Sequence, residues 1–79
     1  MINEKELLKL IQTSIKSKNK LNSKSNSDNT DGWDSLGQLS ILTSLDKKLK
    51  GKTSKLASLA TADSVSKIVK ILKSKKLLK

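Results

Sequence analysis

The chain has no cysteine, no histidine, no proline and no arginine, and its one aromatic residue is Trp33. Each absence closes off some chemistry. Without cysteine there is no disulfide and no thiolate metal site, and nothing that reports the redox compartment. Without histidine the usual general base at neutral pH and the commonest metal ligand are both missing. Scattered carboxylates, serines and lysines are a poor kit for catalysis, so the chain reads as a non-enzyme. Long hydrophobic runs are missing too. The N-terminal MINEKELLKL is charged from Glu4 onward, which leaves no room for a signal peptide or a membrane span and makes a cytoplasmic protein the expectation.

What is present is 79 residues, 34% of them hydrophobic, enough for one small domain spanning 1–79 whose core must be built from Leu, Ile, Val and Ala. Net charge is +10, and every basic residue is lysine. Residues 1–35 hold six lysines against five acids, whereas residues 36–79 hold eleven against two. Such a basic half can mean a polyanionic partner, nucleic acid or lipid headgroups, but the lysine bias of an A+T-rich genome is the favoured reading of it. Recognition of phosphates or bases would favour arginine, so no specific nucleic-acid partner is expected.

Leu7, Leu8, Ile11 and Ile15 fall on one face of a helix over residues 4–15, with Asn3 as N-cap and Glu4 and Glu6 in its first turn. From Lys16 to Asp34 the chain turns polar, and only Leu21 and Trp33 can anchor it. A connection this long in a small domain is often functional or mobile. Leu36, Leu39, Leu42, Leu45 and Leu49, with Ile41 beside them, mark a second helix capped by Asp34 and stopped at Gly51. Residues 55–60 suggest a short helical turn through Leu56 and Leu59. Asp63 or Thr61 then caps a last helix carrying Val65, Ile68, Val69 and Leu72, and about the last five residues are expected to fray. The predicted fold is all-α, a small bundle of three to four helices with a long first loop.

The most informative run is Asp31-Gly32-Trp33-Asp34-Ser35-Leu36-Gly37-Gln38-Leu39. It resembles the modification site of acyl and peptidyl carrier proteins, in which the serine of an Asp-Ser-Leu triplet receives 4′-phosphopantetheine. The WDSLG form is similar to that of free-standing bacterial carriers. Chain length, the order of helices and the DSV-led last helix extend the resemblance over essentially the whole chain, although only about nine residues are motif-grade. The resemblance implies attachment of the cofactor at Ser35, flanked by Asp34 and Leu36. The chain would then carry an acyl or aminoacyl thioester for lipid or specialised secondary biosynthesis. The implied partners are a phosphopantetheinyl transferase and the loading and acyl-transfer enzymes, met by a monomer. It also implies a docking face on the second helix: Gly37, Gln38, Leu39, Ser40, Thr43 and Lys47. The physics suits a phosphodiester at Ser35, because the first position of a helix lies beside unpaired N–H groups and the positive end of the helix dipole. Leu36, one residue on, is expected to turn into the core and fix the register, and Gly37, Ser40, Thr43, Ser44 and Lys47 to face outward.

One departure is plain. Carriers of this type are acidic, whereas here Asp46 is the only acid among the second helix's outward positions, so the partners implied are specialised ones. Two readings from other classes compete: a basic helical protein that binds nucleic acid, and one that binds membrane surfaces through Lys67, Lys70, Lys73, Lys75 and Lys76 of the last helix. Three look-alikes fail. The run from Ser27 to Gln38 lacks the first and last carboxylates of a calcium loop, Gly51-Lys52-Thr53 has Asp46 where a phosphate-binding loop needs its first glycine, and Ser35 has no base to make it a triad nucleophile.

Overall fold

The computed structural model describes residues 2–53 and 56–79; Met1, Ser54 and Lys55, the last of which opens the short segment expected at 55–60, lie outside them. Three α-helices form the bundle: α1 (Glu4–Ser14), α2 (Ser35–Lys48) and α3 (Val65–Ser74), with a 3₁₀ segment, Ala57–Thr61, between the last two. No strand occurs among the described residues, only two isolated backbone bridges.

Helix α1 starts where short-range chemistry dictates. Asn3 Oδ1 accepts from Glu6 N at 2.8 Å while Glu6 Oε1 accepts from Asn3 N at 3.4 Å, so two N–H groups without helical partners are satisfied reciprocally. Its buried face is Leu7 and Ile11, continued by Ile15 at the C-cap. Leu8 is only half-buried. These side chains share one core with Ile41 and Leu45 of α2, Leu49 at its C-cap, and Val65, Ile68 and Leu72 of α3.

The register of α2 differs from the expectation. Leu36 and Leu39 do not enter the core; they are 75% and 61% exposed, the two large apolar side chains among the described residues that stand out in solvent. The buried row is Gly37, Ile41 and Leu45, extended by Leu49 at the C-cap. Gly37, expected on the outer face, is what turns the helix this way. A Cβ there would lie 3.1 Å from Ile15 Cγ2 and well inside contact distance of the Gly32 carbonyl oxygen. The loop backbone therefore closes on α2 at a position that only glycine leaves open. At 100° per residue, Leu36 and Leu39 then fall roughly 140° and 160° round the axis from Ile41. Ser44 is also not free, since its hydroxyl lies 2.9 Å from that of Ser14 and ties α2 to α1.

All three helices end alike. Ser17 N donates to Gln12 O, Gly51 N to Asp46 O and Leu77 N to Leu72 O, each at 2.8–3.0 Å, and the residue before each donor bonds to the carbonyl three residues back. These are Schellman ends, and the residue in the left-handed conformation is a lysine every time: Lys16, Lys50 and Lys76, with φ of 55–58°. Gly51 follows Lys50 with a φ of 83°, so the expected stop lies one residue earlier than the glycine.

Helix α3 is capped by Ser64, not by Asp63 or Thr61: Ser64 Oγ accepts from Lys67 N at 3.2 Å. Its position is set by the first loop, because Val65 N donates to Ser25 O and Ser27 N to Asp63 O, both at 2.9 Å. That loop is polar yet organised, with Asn22, Asn26 and Asn29 closing its turns through their own side chains. Nor does the C-terminal tail fray as expected. Leu78 is buried, and Lys79 N donates to Ile2 O at 2.8 Å, so the last residues lie alongside the first.

Candidate functional site

The start of α2 is built from Asp34. Its backbone is extended, and its Oδ1 accepts from Gly37 N at 2.9 Å while its carbonyl accepts from Gln38 N at 2.8 Å. Ser35 is therefore the first residue of the helix. It is exposed, and among the described residues no hydrogen bond engages its hydroxyl. The backbone N–H groups of Ser35 and Leu36 likewise find no partner there, which leaves donors and the positive end of the helix dipole beside the hydroxyl.

Beneath this turn the loop is fixed by Trp33. The indole is buried, and its Nε1 donates to Gln38 Oε1 at 2.7 Å. Gln38 Nε2 in turn donates to Ala62 O at 2.9 Å and Leu59 O at 3.1 Å. Gln38, expected on a docking face, is thus half-buried and joins the loop, α2 and the 3₁₀ segment. An open cleft of about 580 Å³ borders Trp33, Asp34, Ser35, Gln38, Thr61 and Asp63. Asp63 pairs with Lys67 at 2.9 Å, and the hydrogen bond and charge of that lysine hold its carboxyl below the usual range.

Comparison of the chain with protein-family models, with curated proteins and with solved structures returns no match.

The cleft holds hydroxyls and two carboxylates, and Asp34 is committed to the helix cap. No group of three or more His, Cys, Asp or Glu that could hold a metal occurs among the described residues. Among the described residues no hydrogen bond ties the Ser35 hydroxyl to a carboxylate or any other base. A phosphate ester on it would meet the free N–H groups of the first turn, so the residues present fit such a group.

The predicted docking residues divide. Leu39, Ser40, Thr43 and Lys47 are exposed and share the outer face with Leu36, while Gly37 is buried and Gln38 is half-buried beneath the cleft. The role of Gln38 had no signal in the sequence. Gly37 had one: glycine in a helical turn costs about 1 kcal/mol against alanine, which argues for a packing reason.

Proposed function

We propose that the chain is an acyl carrier, bearing an acyl or aminoacyl group as a thioester on 4′-phosphopantetheine attached to Ser35. The observation that carries this reading is an exposed, unengaged serine hydroxyl at the first position of a helix whose start is held by Asp34, within an Asp-Ser-Leu run. The resemblance of that run to carrier modification sites supplies the cofactor, and the local electrostatics favour its phosphate.

The protein's own part is presentation. A transferase supplies the base, the metal and coenzyme A; Ser35 supplies an oxygen that is free to react. The bound arm supplies the thiol on which cargo is carried. Leu36 and Leu39 stand on the face beside Ser35 and offer apolar contact to the loading and transfer enzymes, with Ser40, Thr43 and Lys47 further along it. With Asp46 the single acid of α2, docking on basic enzyme patches is weak, and the partners are dedicated enzymes of lipid or secondary biosynthesis in the cytoplasm. The carrier acts as a monomer.

The test is intact mass after incubation with coenzyme A and a broad-specificity phosphopantetheinyl transferase. One added phosphopantetheine is expected, and none on Ser35→Ala. A mass that stays that of the bare chain, or labelling that survives Ser35→Ala, sinks the reading.

A further inference from the structure

Residues 64–79 hold six lysines and no acid. On α3 the lysines recur at every third position, Lys67, Lys70 and Lys73, and all are exposed; Lys75 and Lys76 follow at the helix end, exposed as well. Asp63 neutralises Lys67, and no other lysine is in an ion pair among the described residues. The opposite face of the helix is sealed: Val65, Ile68 and Leu72 are fully buried in the core. The tail lysines are also held in place. Lys76 occupies the left-handed turn that ends α3, and Leu78 is buried, with the backbone on either side bonded to Ile2.

We propose that this lysine face of α3 docks on an anionic lipid bilayer, lying flat against the headgroups without inserting apolar side chains. Charge complementarity carries the choice, and the chemistry of the face narrows it. A nucleic-acid surface would call for arginine forks or exposed aromatics to stack on bases, but the chain has no arginine and its one aromatic, Trp33, is buried. A protein interface is built round desolvated apolar or aromatic anchors and is depleted in lysine. The exposed leucines of this molecule are on α2, not on this face. A fluid anionic headgroup layer asks only for ammonium groups on one side, and their attractions add.

The burial pattern also excludes the usual mode of an amphipathic helix. Inserting Val65, Ile68 and Leu72 into acyl chains would mean opening the bundle. Binding is therefore electrostatic, leaves the fold intact and weakens steeply with salt. It goes beyond carrier function and does not depend on Ser35 being modified.

The experiment is co-sedimentation of the unmodified chain with vesicles of phosphatidylglycerol and phosphatidylcholine, and with phosphatidylcholine alone. Binding is expected only to the anionic vesicles and only at low salt. Lys70→Glu with Lys73→Glu should weaken it by roughly thirtyfold or more, the scale set by removing two ammonium groups from the headgroup layer. Lys5→Glu with Lys9→Glu on α1 changes net charge equally and should weaken it far less. Circular dichroism of both variants checks that they fold as the parent does. Equal losses in the two variants would show that total charge, not this face, drives binding. Binding that persists in high salt, or to neutral vesicles, would mean insertion, and tighter binding to duplex DNA than to anionic vesicles at the same salt would assign the face to nucleic acid. Each of these overturns the proposal.

Discussion

The indole Nε1 of Trp33 donates to the side-chain oxygen of Gln38 at 2.7 Å, across the first turn of α2. The same amide reaches Leu59 O and Ala62 O with its nitrogen, so one side chain holds the loop, the helix and the 3₁₀ segment together. Gln38→Ala leaves the buried indole donor and the Ala62 carbonyl without this partner. It should cost about 1–3 kcal/mol in urea denaturation. Trp33→Phe keeps most of the ring but loses the donor, and the double variant should lose less than the sum of the two. Strict additivity would show that the bond does not couple the segments.

Alanine is a better helix former than glycine by about 1 kcal/mol at an exposed position. At residue 37 the sign should reverse. The added Cβ meets the Gly32 carbonyl and Ile15, so Gly37→Ala should destabilise by about 1–3 kcal/mol. Ser40→Ala, three residues on and exposed, should be neutral or slightly stabilising. Melting curves of the two variants decide between them.

Leu78 sits at 5% exposure beside Ile2, which is itself buried. Leu78→Ala should cost about 2–5 kcal/mol, the range for truncating a buried leucine. Lys79→Ala keeps its backbone bond to Ile2 and should change stability by no more than about 0.5 kcal/mol. A tail that contributes nothing would show as equal denaturation midpoints for Leu78→Ala and the parent.

Lys16, Lys50 and Lys76 hold left-handed backbone that favours glycine. Lys50→Gly should therefore stabilise the protein by up to about 1 kcal/mol, and it also removes one positive charge. Lys50→Val should destabilise, since a β-branched side chain suits that conformation least. Thermal unfolding of the pair checks the sign of both.

Seventeen lysines face seven acids, and one ion pair, Lys67 with Asp63, forms among the described residues. Added salt should raise the melting temperature by screening lysine repulsion; a fall would refute this. The Asp63–Lys67 pair responds to acid instead. Lys67 depresses the Asp63 carboxyl in the folded state, so its contribution is present above the ordinary carboxylate range and is lost as pH falls through the depressed value. In an NMR titration the Asp63 midpoint should move up in Lys67→Ala.

Helix starts that depend on neighbours three residues apart were legible from sequence. Asn3 with Glu6, and Asp34 with the Gly37 amide, close contacts that need no distant partner, and they place Ser35 at the first position of α2. The start of α3 was harder, because Thr61, Asp63 and Ser64 can all cap. The bond from Val65 N to Ser25 O, forty residues away in sequence, helps decide it. The buried face of α2 was not legible either. Leucine at 36, 39, 42 and 45 beside Ile41 and Leu49 supplies apolar side chains on most sides, so periodicity cannot choose among them. What chooses is the approach of the loop at Gly32 to Gly37, which turns Ile41 and Leu45 inward and leaves Leu36 and Leu39 in solvent. The tail followed the same rule: Leu77 and Leu78 look like a frayed end until Ile2 is seen to lie beside them. Local hydrogen bonding acts within one turn and is written in adjacent residues, whereas which surface is buried depends on backbones that meet only once the chain has folded.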